Sequence, residues 1–142
     1  MKKVILSGFF ALCAFGMFAQ ADTKNLPATA KDFIQQNFSS NTVEGVEENS
    51  KWQIWADDKY EVKLSNGIEL DFDENGNIIE IDSQNDAIPM SALPSAIATY
   101  LKENYPDSQV IGWEKEKKSQ EVELLDGTEL EFDGQGNFRK ID

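Results

Sequence analysis

Residues 60–73 read YEVKLSNGIELDFD, and residues 120–133 read QEVELLDGTELEFD. In the first stretch Val62, Leu64, Ile68, Leu70 and Phe72 alternate with charged or polar residues; in the second Val122, Leu124, Leu130 and Phe132 do the same. A period of two puts the apolar set on one face of a strand and the charged set on the other. Asn66-Gly67 and Asp126-Gly127 interrupt the two runs and predict type I′ hairpin turns, whose central residues both need positive φ. Each stretch is therefore expected to be a hairpin with one greasy and one acidic side.

The likeness extends upstream. LPATAKDFIQQNF at 26–38 aligns without gaps with LPSAIATYLKENY at 93–105. Leu26, Ala30, Phe33, Ile34 and Phe38 fall at i, i+4, i+7, i+8 and i+12, and Leu93, Ile97, Tyr100, Leu101 and Tyr105 match them. That spacing predicts a short amphipathic helix in each copy. Pro27 and Pro94 suit the first helical position, where no hydrogen bond is lost. A further strand is expected after each hairpin, at Asn77–Ile81 and Asn137–Ile141.

Each copy thus reads helix, strand, hairpin, strand. The offset between copies falls from 67 residues at the helices (26 to 93) to 60 at the hairpins (60 to 120). The first copy therefore carries seven extra residues around Glu47–Lys59, a segment that contains Trp52 and Trp55. A unit of about 55 residues with one sheet face to cover is marginal alone. The expected fold class is α+β: two tandem helix-plus-antiparallel-sheet repeats in one sheet with both helices on one face. The expected division is a signal peptide at 1–21, repeats at 22–82 and 93–142, and a linker at 83–92.

This doubled pattern resembles the PepSY-like proteins with a beta-lactamase-inhibitor-like fold that Bacteroidetes secrete. The resemblance rests on Leu-Pro before each helix, Asn-Phe or Asn-Tyr at its end, Glu-Val-x-Leu-x-(Asn/Asp)-Gly-x-Glu-Leu-(Asp/Glu)-Phe-Asp in each hairpin, and Gly-Asn before a closing strand ending Ile-Asp. It spans residues 26–142 and implies a curved sheet and a role in binding or inhibition, with no transferable catalytic motif. The chain lacks the cysteines of the beta-lactamase inhibitor itself.

Lys2 and Lys3 precede an apolar run from Val4 to Phe18, and Ala19-Gln20-Ala21 supplies a cleavage site after Ala21 or Ala19. That is a secretory signal peptide, so the protein is expected to be periplasmic or secreted, without membrane insertion afterwards. The lone Cys13 follows Leu12, where a lipoprotein signal would need a small residue. Removal of 21 of the 142 residues leaves 121, with neither thiol nor histidine. Disulfides, Cys-His or Ser-His-Asp catalysis and nitrogen- or sulfur-ligated zinc are thereby excluded. No cofactor is expected. Of 13 Lys+Arg, Lys2 and Lys3 leave with the leader, so 11 face 26 Asp+Glu, a net charge of −15. Such a surface repels nucleic acid and anionic lipid and favours basic partners.

DFDENGNIIEID at 71–82 partly fits a calcium loop, with Asp71, Asp73 and Asn75 at ligand positions 1, 3 and 5 and Gly76 at the turn. Two features favour a strand-connecting turn instead. Ile68, Leu70 and Phe72 give the entering segment a strand period, and the second copy has Gln135, Arg139 and Lys140 in the equivalent stretch. Weak cation binding through Asp71–Asn77 is the alternative function.

The helix-free face is expected to collect Glu61, Lys63, Glu69, Asp71, Glu121, Glu123, Glu129 and Glu131. A solvated face is the plain account of such a lawn. The functional account is a docking surface for an unidentified basic protein or peptide, with Trp52, Trp55 and Trp113 as candidate contact residues because indoles are common at interface hot spots. Glu121 or Glu123 with Glu129 or Glu131 could pair as glycosidase carboxylates do, but an open sheet offers no water-excluding cleft. A non-catalytic binding module is the function expected.

Overall fold

The computed structural model describes residues 21–49 and 59–142. Trp52 and Trp55 lie outside them. Helix α1 spans Ala28–Asn37, and strands β1 (Val43–Glu48), β2 (Tyr60–Leu64), β3 (Glu69–Phe72) and β4 (Ile78–Asp82) complete the first repeat. A 3₁₀ turn at Met90–Ala92 leads into α2 (Ser95–Asn104), followed by β5 (Val110–Lys115), β6 (Ser119–Leu124), β7 (Glu129–Asp133) and β8 (Phe138–Ile141). The eight strands form one antiparallel sheet in chain order. The α+β expectation holds, and the repeats join where β4 pairs with β5, Ile81 opposite Trp113.

Period-two alternation becomes a burial pattern. Val62, Leu64, Leu70, Phe72, Val122, Leu124, Leu130 and Phe132 are all buried beneath the helices, while the intervening residues are exposed or half-exposed. The repeated sequence makes repeated contacts. Phe33 of α1 meets Phe72 edge-on at 5.9 Å, and Tyr100 of α2 meets Phe132 edge-on at 5.4 Å. Offset and edge-to-face rings gain on top of area burial because the positive edge of one meets the negative face of the other. At each helix end an asparagine side chain seals the last turn, Asn37 Nδ2 donating to the Phe33 carbonyl and Asn104 Nδ2 to that of Tyr100.

Two details differ from expectation. Pro27 and Pro94 have extended backbones and stand one residue before the helices, where their carbonyls accept from the Lys31 and Ala98 amides. The hairpin turns are not type I′, since among the described residues only glycines have positive φ. Leu64 accepts from the Gly67 amide and donates to Ile68, enclosing a three-residue loop in which Gly67 alone is left-handed (φ 80°). This is a type I turn closed by a left-handed glycine. Residues 73–77, 124–128 and 133–137 repeat it around Gly76, Gly127 and Gly136. Asn66 and Asp126 act through their side chains instead, accepting from the Ile68 and Thr128 amides. The segment that links the repeats also packs into the structure. Ile88 and Ala92 are buried, and the Ser83 and Ile88 amides extend the pairing to Ile111 and Val110.

Candidate functional site

The helix-free face is built by strand register. Glu47, Glu61, Asp71, Glu80, Glu114, Glu121, Glu131 and Lys140 are successive cross-strand partners from β1 to β8. One residue pair along each strand, a second row runs Gly45, Lys63, Glu69, Asp82, Gly112, Glu123 and Glu129. Same-face partners on adjacent strands stand about 5 Å apart at Cβ, so like charges in a row repel.

The structure brings Glu61, Lys63, Glu69, Asp71, Glu121, Glu123, Glu129 and Glu131 to one face, as the alternation predicts, and adds four acids. Glu47, Glu80, Asp82 and Glu114 were missed because they lie on β1, β4 and β5, outside the two hairpin repeats. Period two in Ile78–Asp82 was the available signal. Trp113 requires a correction. Proposed as a partner-facing indole, it is only 3% exposed and belongs to the core. Its Nε1 donates to Gln120 Oε1 at 3.1 Å, and Gln120 Nε2 in turn reaches the carbonyls of Asp133 and Gly134. Trp113 fills the position of Val46 in the first repeat, and that alignment marks it as a core residue.

Cations gather at the two ends of the face. Lys59 pairs with Glu48 at 2.9 Å and Lys63 with Glu69 at 3.1 Å; at the other end Lys140 bridges Glu131 and Asp142, with Arg139 4.0 Å from Glu131. Between them, Asp82, Glu114, Glu121 and Glu123 have no ion pair among the described residues. Partial burial, then the neighbouring carboxylates, pushes all four above their ordinary pKa values. Glu123 is raised by burial and then by Glu129 and Asp82; Glu121 by burial and then by Glu129 and Glu114. A shallow hollow of about 150 Å³ is lined by Glu80, Ile81, Asp82, Gly112, Trp113, Glu114, Glu121 and Glu123.

The turn considered as a calcium loop has a different use of its acid. Asp73 Oδ1 accepts from the Asn75 and Asn77 amides at 2.8 and 2.9 Å, and Asn77 Nδ2 reaches Oδ2 at 3.0 Å. Burial raises the Asp73 carboxyl, but these donors together hold it below its ordinary value. Asp133 makes the same bonds to Gln135 and Asn137. Among the described residues, no group of three or more acids is arranged to hold a metal ion.

The doubled architecture is matched by a protein family described as "Putative beta-lactamase-inhibitor-like, PepSY-like", over residues 18–80 and again over 58–140. The chain belongs to this PepSY-like family. Three similar crystal structures come from Bacteroides. One, from Bacteroides thetaiotaomicron, is described as a "putative calcium-regulated periplasmic protein"; it is 38% identical, with a TM-score of 0.73 over 83% of this chain and 91% of its own. A Bacteroides vulgatus protein described as a "putative periplasmic protein" is 37% identical, with a TM-score of 0.71 over 82% of this chain and 90% of its own. A second from the same species, of unknown function, is 34% identical, with a TM-score of 0.70 over 85% and 94%. No curated protein matches the chain. The descriptions of these three proteins as periplasmic agree with the periplasmic or secreted protein expected from the leader, and no helix among the described residues is long and apolar enough to cross a membrane.

Proposed function

We propose that this PepSY-like chain is a non-catalytic binding module of the periplasm or cell exterior, and that its helix-free acidic face engages a basic protein or peptide. The observation that carries the reading is the in-register row Glu61, Asp71, Glu80, Glu114, Glu121 and Glu131, one acid per strand from β2 to β7. A field of one sign steers an oppositely charged partner and raises its association rate. The hollow, at about 150 Å³, is small against the roughly 300–1,000 Å³ of ordinary ligand pockets, and its open mouth gives a substrate little shelter from water. That supports binding over catalysis.

Calorimetric titration with a blocked peptide of alternating lysine and serine tests the proposal. Glu61→Gln, Glu69→Gln, Glu121→Gln and Glu129→Gln together should weaken binding strongly. A control set of equal charge change on the helix side, Asp32→Asn, Glu74→Gln, Glu103→Gln and Asp107→Asn, should leave most of it. Equal losses in the two sets would reduce the effect to net charge and sink the reading.

A second reading, cation binding through Asp71–Asn77, is favoured by the 38% identical relative described as calcium-regulated. A cation there would compete with the Asn75 and Asn77 amides for Asp73 Oδ1. Calcium heat that disappears in Asp73→Ala would support this reading, and a flat trace with the unaltered protein would remove it.

A further inference from the structure

We infer that this chain associates head to tail with a second copy of itself, β8 of one copy pairing with β1 of the next in the register in which β4 pairs with β5 inside the chain. The inference goes beyond the binding of a basic partner and does not depend on it.

The seam between the repeats is the template for this contact. There Glu80 opposes Glu114, Ile81 opposes Trp113 and Asp82 opposes Gly112. The repeat offsets are 60 residues from β4 to β8 (80 to 140) and 67 from β1 to β5 (47 to 114). They place Lys140, Ile141 and Asp142 at the β4 positions, and Glu47, Val46 and Gly45 at the β5 positions. Strands β1 and β8 are the two edges of the sheet. Their irregularities also match: β1 and β5 shift register just before the glycine, and β4 and β8 shift where they meet Asp71–Phe72 and Glu131–Phe132. Backbone direction agrees. The Asp142 amide donates to Glu129 and the Asn49 amide to Lys59, both toward the inner neighbour, so by alternation the N–H and C=O of Ile141 and Val46 point outward. Ile141 is 57% exposed, whereas its counterpart Ile81 has no exposed surface. Val46 is half-buried against the core. Pairing the edges sets Ile141 opposite Val46 and carries the core from one copy into the next.

Charge selects which edges meet. Strand β1 carries Glu44, Glu47 and Glu48 and no base, while β8 carries Arg139 and Lys140 and no acid. Two copies of the same edge therefore repel, and unlike edges attract. In the assembled register Lys140 stands between Glu131 of its own copy and Glu47 of the next, where the internal seam sets Glu80 between Asp71 and Glu114. An unfavourable acid pair within the chain becomes a favourable ion pair between chains. Such a contact is heterologous, so it adds copies in a row and does not close at two. It is also short, and the excess of acids opposes it, which makes the association weak and dependent on concentration.

Sedimentation equilibrium of the mature chain tests this, in about 0.15 M salt, which screens charges more than about 8 Å apart but spares adjacent pairs. The average mass should rise with concentration, and a mass fixed at the monomer's up to about 1 mM would overturn the inference. Glu47→Lys sets a cation against Lys140, and Lys140→Glu sets an acid against Glu47. Each should weaken association several-fold, and an equimolar mixture of the two should regain it, because each then offers the edge that the other lacks. Glu47→Lys also lowers the net negative charge, so contact governed by general repulsion would strengthen in this variant. That result, or a mixture that associates no better than its components, would overturn the pairing of opposite edges. Ile141→Ser leaves the charge unchanged and should also weaken association several-fold; undiminished association would overturn the equivalence of Ile141 with Ile81.

Discussion

A Cβ on Gly76 would stand 2.7 Å from the Cβ of Pro27, closer than real carbon atoms approach. The third hairpin residue therefore touches the entry to α1, and Gly136 repeats the relationship at 2.9 Å from Ala96 in α2. Gly67 and Gly127 share the left-handed φ but face open space. Gly67→Ala and Gly127→Ala should cost only the backbone penalty, about 1–2 kcal/mol. Gly76→Ala and Gly136→Ala add a clash with a helix start and should cost roughly 2–4 kcal/mol. Urea unfolding of the four variants checks this, and similar midpoints for all four would refute the docking of turn against helix.

The buried pair Trp113 and Gln120 replaces Val46 and Tyr60 of the first repeat. Gln120→Ala leaves the indole N–H without its acceptor in the core and removes a donor to the carbonyls of Asp133 and Gly134. An abandoned buried polar group costs about 1–3 kcal/mol. Trp113→Val with Gln120→Tyr restores the first-repeat pair, and should recover part of what each single substitution loses. A double-mutant cycle measures the coupling; strict additivity would mean that the hydrogen bond adds nothing to the packing.

Ile81 has no exposed surface and lies between Leu70 on β3 and Trp113 on β5, at the seam of the two repeats. Ile81→Ala should lose about 2–5 kcal/mol, because the cavity forms under both repeats and cannot close by moving one. We expect a single cooperative melt before and after the substitution. Calorimetry that resolves two transitions in the variant would show that the repeats are independent units.

Much of this was legible in residues 60–73 and 120–133, because period two decides both the core and the acidic face. The family match and the one-sided helices follow from the same duplication. Turn type was not legible from Asn66-Gly67, since that pair serves a three-residue loop as well as a two-residue one; the loop length is set by Leu64 pairing with Ile68. Trp113 was misassigned for a related reason. A glycine just before it, with a register shift between Val110 and Gly112, re-phases the strand so that the indole turns inward. The acids on β4 and β5 gain their meaning only from the junction, where Glu80 meets Glu114 and Asp82 meets Gly112. That pairing joins residues of different repeats, and no comparison of the repeats with each other contains it.

The same junction sets a pH dependence. Asp82, Glu114, Glu121 and Glu123 have folded-state pKa values raised by burial and then by neighbouring acids. The folded chain thus holds their protons more tightly than the unfolded chain does. Their stabilising contribution is full below the ordinary values of 3.8 for Asp and 4.5 for Glu, and is lost as pH rises through the raised values. Asp73 and Asp133 are lowered and act oppositely, their contribution present above 3.8 and lost as pH falls through the depressed values. The melting temperature should therefore peak in mild acid rather than at neutrality. Glu121 stands between Glu114 and Glu131, so Glu121→Gln removes repulsion from both sides. Like charges directly opposite cost roughly 0.2–1 kcal/mol per pair, and the substitution should raise the melting temperature by a few degrees at pH 7. Below the ordinary glutamate value of 4.5 the native carboxyl is itself neutral in both states, and the gain should vanish. A pH series of thermal melts on the two proteins decides it: a gain that persists undiminished into acid would come from packing, and repulsion across the face would not be its cause.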